Sequence, residues 1–496
     1  MIFKTKGIVL SGLMLAGCAA SPEALTLEEV NAFTSKNLQD VVANQEPISQ
    51  SIGLYDAMAR ALKYNLDFKV EMMNEALAAR KFDLANYDMM PSLVANSGYA
   101  GRSNHSGGKS RLLTAPFSQS LAPSTSSNKN VISGDLTFSW HILDFGLSYV
   151  RAKQAANQVL IAEERRRKVV NRIIEDVRTA YWRALSAQRL IGSLSSLRHR
   201  VQRALKNSRY LASSGQAAPL AAMTYERELI DIKRQIHELH RDLKTAKMQL
   251  AALMNVSPGS RFTLRDQRRR GSRLRIALKS SDMIAAALRN RPELREEMIK
   301  VRISQQDADA ALLELLPGAN IYALASFDTN DFLFHNNWLS WGAKASWNAM
   351  RLFAYPTKAA SIDAQKALNK ARALALTMAV MTQVHVARAK FANARHVVAA
   401  SGEYYRVQRR ILAKVRAKAA NNASSEQTLI REEMNALVAR AKYDIAYAGL
   451  QNAYANIYAS MGIDPYPGDI SSSQSVKSLA ASLRSTWVER GAKSGA

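Results

Sequence analysis

The chain has 496 residues, 47% hydrophobic and 22% charged, a globular composition that excludes wholesale disorder and a collagen-like repeat. Its single cysteine, Cys18, excludes an intrachain disulfide and a cysteine-based zinc site. Lys and Arg outnumber Asp and Glu by 68 to 41, and the net charge of +27 points to an anionic partner without dictating a fold.

The first residues read as an export signal. Lys4 and Lys6 precede an apolar stretch from Gly7 to Ala16, too short for the roughly 20 residues of a membrane-spanning helix. The run ends in Leu15-Ala16-Gly17-Cys18, which resembles a bacterial lipobox. That resemblance implies cleavage before Cys18, acylation of Cys18, and a tether over residues 18–50. Ala19 follows in place of the aspartate that would, by the same resemblance, retain a lipoprotein at the inner membrane. An exported chain does not meet chromosomal DNA, so nucleic acid is not expected as a partner. No apolar run of 18 residues follows the signal.

The first repeat, residues 51–258, opens with a helix over about Leu66 to Met90. A β-hairpin is expected over about 92–143, interrupted by a Ser/Asn/Gly/Pro-rich loop between about Arg102 and Asn130. Its second strand alternates cleanly. Ile132, Gly134, Leu136, Phe138, Trp140 and Ile142 fall on one parity, and Ser133, Asp135, Thr137, Ser139 and His141 on the other. Weaker alternation runs through Leu93, Ala95, Ser97 and Tyr99. Eleven residues is the length of a transmembrane strand, although one strand of a soluble sandwich alternates in the same way.

A helix follows over 148–212, with heptad columns Val170, Val177, Ala184, Ile191 and Ile173, Ala180, Ala187, Leu194, Val201. A further helix is expected over 219–254. The linker 259–280 is basic: between Arg261 and Lys279 stand eight basic residues and one acid, Asp266.

The second repeat, 281–465, restates the first. Ala287-Leu288 answers Ala61-Leu62, and Pro317 answers Pro91, at an offset of 226 (287 − 61). Ser346-Trp347 answers Ser139-Trp140, and Met461 answers Met254, at an offset of 207 (346 − 139). The difference, 226 − 207 = 19 residues, falls within the first repeat's variable loop. A hairpin is expected over about 318–349 and helices over 357–420 and 426–461, and residues 466–496 form a tail. Four strands cannot close a barrel, since about eight is the smallest number. Membrane strands would therefore have to be pooled by several chains.

This layout is similar to that of the TolC-like outer-membrane efflux family, lipoprotein branch. The resemblance is carried by Tyr55-Asp56-Ala57-Met58-Ala59-Arg60-Ala61-Leu62, by Leu315-Leu316-Pro317 at the entry to a strand, by Trp140-His141-Ile142-Leu143-Asp144-Phe145-Gly146, and by the duplication. It implies a fold that is mainly α with a β-barrel portion. Long helical hairpins form a periplasmic α-barrel, and four strands per chain join a twelve-stranded barrel in a homotrimer. It implies a passive exit duct in the outer membrane, working with a periplasmic adaptor and an inner-membrane pump. Type I protein or polysaccharide secretion is the alternative within the family, and a non-porous lipid-anchored scaffold the alternative outside it.

By the same resemblance, adaptor-contacting tips fall at Ser214, Gly215, Gln216 and at Asn421, Asn422, Ala423. Positions that narrow the entrance with aspartates in the best-known members hold Thr428 and Arg431, with Glu432 beside them. Three copies of Arg431 would repel cations there, unless Arg431 is a solvated or paired helix residue, which is the favoured reading. His237 and His240 lie three apart, which is not the zinc-protease spacing, and no phosphate loop or nucleophile elbow occurs. No enzyme activity, metal or cofactor is expected.

Overall fold

A computed structural model describes residues 24–49, 51–109, 122–214, 218–257, 260–265, 274, 276, 278–421, 425–464, 466 and 474–493. Cys18 lies outside them, as do Gly215, Gln216, Asn422, Ala423 and five arginines of the basic linker.

Two helices set the scale: α4 (Ile142–Ser213) has 72 residues and α8 (Met350–Ala420) has 71. At 1.5 Å per residue each reaches about 100 Å. Beside α4, α3 (Leu66–Tyr87) and α5 (Pro219–Leu253) lie end to end, and the Asn65 Nδ2 donates to the Leu253 carbonyl at the joint, 3.2 Å away. Beside α8, α7 (Pro292–Leu313) and α9 (Glu426–Ser460) do the same, joined by Arg291 donating to the Ala459 carbonyl at 3.4 Å. Gly462 closes that joint with φ +68, and a Cβ there would lie 2.5 Å from the Asn290 carbonyl carbon. Packing orders the wall as α3/α5, α4, α7/α9, α8.

The seam of α4 is buried along its heptads, including Ile173, Val177, Ala184, Leu194 and Val201. Two cores result. One lies between the lower halves of α4, α5 and α9. The larger girdles the middle, where α2 (Leu54–Tyr64), α6 (Ser280–Asn290) and α10 (Val476–Lys493) pack on the long helices. A short parallel pair, β1 (Ser51–Ile52) with β4 (Thr263–Leu264), completes this belt. The N-terminal α1 (Leu27–Asp40) is fully exposed and starts at a Thr26–Glu29 capping box.

Element bounds repeat at the two sequence offsets. Adding 226 turns Leu54–Tyr64 and Leu66–Tyr87 into Ser280–Asn290 and Pro292–Leu313, and adding 207 turns Pro219–Leu253 into Glu426–Ser460. One helix start needs correction. The helix expected from 357 begins instead at Met350 and carries Pro356 inside it. Asn348 starts the helix earlier, its Oδ1 accepting from the Met350 N–H at 3.1 Å, and the proline omits only one bond near the helix start. Likewise α4 begins at Ile142, directly after the strand, rather than at 148.

Four antiparallel strands form the sheet, ordered β2 (Ser92–Gly101), β3 (Asn130–His141), β5 (Gly318–Asp328), β6 (Asn337–Ser346). Each repeat supplies a hairpin, and β3 and β5 join the two.

Candidate functional site

Register sorts the sheet into two unlike faces. Leu93, Phe138, Ala323 and Trp341 are successive partners across it, as are Ala95, Leu136, Ala325 and Leu339. Adjacent rows on the other face are more mixed and more polar, carrying Asn96, Asp135, Ser326 and Trp338, or Val94, Thr137, Leu324 and Ser340. Asn96 donates to Asp135 at 3.0 Å, so the polar face is cross-linked. The apolar face is bare: Leu93 is 65% exposed, Leu339 72% and Trp341 79%. A face of this size is not stable in water. Within this sheet, moreover, β2 and β6 each pair on one side only, which leaves a row of backbone groups on each outer edge.

The same incompleteness runs down the helical wall. On α3, Leu66, Val70, Met73, Leu77 and Leu84 follow heptad spacing and are exposed. On α8, at the opposite flank and nearer the tips, Val397, Tyr404, Val407 and Ile411 form a second exposed row. Among the described residues, the flanking edges and the apolar sheet face thus all lack a partner.

Both described tip residues cap helices. The Ser214 N–H bonds to the Tyr210 carbonyl at 2.9 Å, and the Asn421 N–H to Lys418 at 3.1 Å. Thr428 sits in the first turn of α9, its N–H on the Ser425 Oγ at 3.2 Å. Arg431 is an ion-paired helix residue, 3.4 Å from Glu228 of α5 and 3.6 Å from Glu432. Glu432 also accepts from Gln408 at 2.5 Å. Beside it, Glu433 bridges Arg200 of α4 at 2.5 Å and Arg416 of α8 at 3.0 Å, tying three helices. Its adjacency to Glu432 is visible in sequence, but its partners are not.

In the belt, Arg178 of α4 is buried at 4% exposure. It donates to the Gln451 Oε1 at 2.7 Å and lies 4.3 Å from the Trp487 ring of α10. Burial lowers its pKa, and among the described residues no carboxylate pairs with it. Trp487 also meets Tyr454 and Tyr458. Nearby, Tyr181 donates to the Arg265 carbonyl at 2.8 Å, fastening β4 to α4.

Residues 57–256 match the family model described as outer membrane efflux protein. Comparison with curated protein sequences gives no match. Solved structures share the fold. The Campylobacter jejuni CmeC outer membrane channel is 12% identical, with a TM-score of 0.62 over 96% of this chain and 98% of that one. The outer-membrane channel OprN is 16% identical, with a TM-score of 0.61 over 86% and 95%. The open state of the Neisseria gonorrhoeae MtrE outer membrane channel is 14% identical, with a TM-score of 0.60 over 85% and 94%. The resemblance read from the sequence holds: the first repeat matches this family's model, and the described chain has the fold of these channels. The family and these neighbours are outer-membrane proteins rather than enzymes.

Proposed function

We infer that this chain, an outer membrane efflux family member over its matched residues, is one third of an outer-membrane exit duct. The observation that carries the reading is the incomplete sheet. Its strands are 10 to 12 residues long, apolar on one face and polar on the other, with both outer edges open. A bilayer accepts such strands only when every edge is paired. Three copies supply twelve strands, which closes the barrel with the polar face inward. The exposed rows, Leu66 to Leu84 on α3 above the belt and Val397 to Ile411 on α8 below it, each face a neighbouring copy and continue the closure as a helical tunnel. A non-porous scaffold has no use for the strands.

The duct itself is passive. Energy comes from an inner-membrane pump, reached through a periplasmic adaptor that meets the tips at residues 214–216 and 421–423. Acylated Cys18 anchors each chain to the outer membrane. Because Arg431 is held by Glu228 and Glu432, it stands at the entrance, one turn from Thr428, as a paired side chain and not as a free cation. Planar-bilayer recording of the purified full chain tests the reading. Stepwise, long-lived conductance is expected, and bilayers that stay sealed at every protein concentration overturn it.

A further inference from the structure

Duplication has made one structural feature twice. Where α3 meets α5, a cleft of about 790 Å³ opens between α4 and α9, lined by Asn65, Asp67, Asp176, Arg183 and Gln249 among others. Where α7 meets α9, a second cleft of about 350 Å³ opens between α4 and α8. Nine lining positions correspond, and five of them are polar in both repeats. Asn65 and Asp67 map to Arg291 and Glu293 at the offset of 226, and Asp176, Arg183 and Gln249 map to Gln383, Lys390 and Asn456 at 207.

Three of these exchanges keep their chemistry and two do not. Asn65 has become a cation at Arg291, and the acid Asp176 has become an amide at Gln383. Both changes run the same way, so one anion in excess becomes one cation in excess. To the second cleft α4 then adds Lys168, Arg172 and Glu175, one further positive charge.

Pairing within the cleft leaves that excess unspent. Arg291 reaches Glu293 at 3.1 Å and Gln383 at 2.6 Å. Lys168 stands 3.9 Å from the same Glu293, and Arg172 turns to Asp67 at 3.1 Å. Glu175 is held by the Asn456 amide at 3.2 Å. Lys390 has no carboxylate within ion-pair distance among the described residues.

Orientation follows from α9. Its face with Tyr447, Gln451 and Tyr454 meets Trp182, Arg178 and Trp487, whereas Asn452 and Asn456 line the clefts on the other side. The clefts therefore open away from the belt.

We propose that the cleft at the α7–α9 joint binds small organic carboxylates, with Lys390 and Arg291 as the charged contacts and the amide N–H of Gln383 as the orienting donor. A planar carboxylate fits a cationic pair flanked by an amide N–H. The volume lies in the range of small-molecule sites. In a trimer the belt is outermost and the cleft faces the bore, giving three stepping sites for anionic cargo. That role rests on the duct reading, whereas the site itself does not.

Calorimetry on the detergent-purified full chain, with sodium benzoate and neutral benzamide as probes at low salt, tests the site. Benzoate is expected to bind one per chain and benzamide at least tenfold more weakly. Gln383→Asp restores the first repeat's acid without removing a base, and should weaken benzoate by roughly tenfold or more. Lys390→Gln should do the same, while Arg183→Gln in the first cleft should stay within about twofold. Equal binding of both probes, no benzoate heat, or unchanged affinity in Gln383→Asp and Lys390→Gln overturns the proposal. If Gln383→Asp lowers the helical melting temperature, Lys390→Gln decides. Conductance is read separately: benzoate binding without current sinks the duct and spares the site, and current without benzoate binding does the reverse.

Discussion

The belt and the sheet of this chain solve opposite folding problems. In the belt, residues from α2, α4, α6, α9 and α10 bury one another completely, so the chain completes that core by itself. The sheet has no such core: β2 is exposed along its whole length, and no buried apolar cluster includes any of its four strands. One region is finished within the chain and the other is left open along a face and two edges. On the proposed reading, neighbouring copies and lipid complete the sheet and the helix flanks, while the belt holds the long helices in register.

Substitutions of equal severity should therefore report differently from the two regions. Phe68→Ala empties a fully buried site in the belt core and should cost about 3–5 kcal/mol, read as a fall in the thermal midpoint of the helical signal whether or not the chain is assembled. Leu136→Arg, on the apolar face of β3, should cost roughly 2–4 kcal/mol only once the sheet is in a bilayer. It should abolish barrel insertion while leaving helical content intact. Thr137→Arg, on the polar face, should insert normally. An equal insertion defect in both variants would break the assignment of faces.

A smaller effect is expected where α10 clasps the belt. Trp487→Leu removes the ring over Arg178, an interaction worth about 2 kcal/mol when desolvated, and should expose α10 to limited proteolysis before the rest of the chain. Trp487→Phe should restore part of the protection.

The smallest effect concerns Glu175, which burial pushes above the ordinary carboxylate range despite the Asn456 amide. Asp176 on its own helix pushes in the same direction, and Arg291 and Lys390 of the neighbouring elements oppose it. A raised folded pKa means that the folded chain takes the proton more readily than the unfolded one. Stability from this group is therefore present in acid and lost as pH rises through the folded value. Glu175→Gln should raise the melting temperature at neutral pH, and the advantage should vanish in acid. A gain independent of pH would remove burial of the charge as its cause.

Much of this architecture was legible in the sequence because it is periodic. Alternation in Ile132 to Ile142 gave β3 and its two faces, and the heptads of Val170 to Val201 gave the seam of α4. The offsets of 226 and 207 carried those assignments into the second half. Contacts between distant positions were not legible. Glu433 meets Arg200 across 233 residues, and no local pattern records that pairing. Arg178 looks like any helix cation until Trp487 is folded over it. That Arg431 pairs with Glu228, 203 positions away, is likewise recorded by no local pattern. Pro356 lies in the second turn of α8, so the helix runs through a residue that locally reads as a break.

Native mass spectrometry of the detergent-solubilised full chain addresses the central claim most directly. A species of three chains, converted to monomer by Leu77→Glu on α3 or Tyr404→Glu on α8, is the expected result. A monomer at every concentration, or a trimer indifferent to both seam variants, would contradict the closure of the sheet by neighbouring copies.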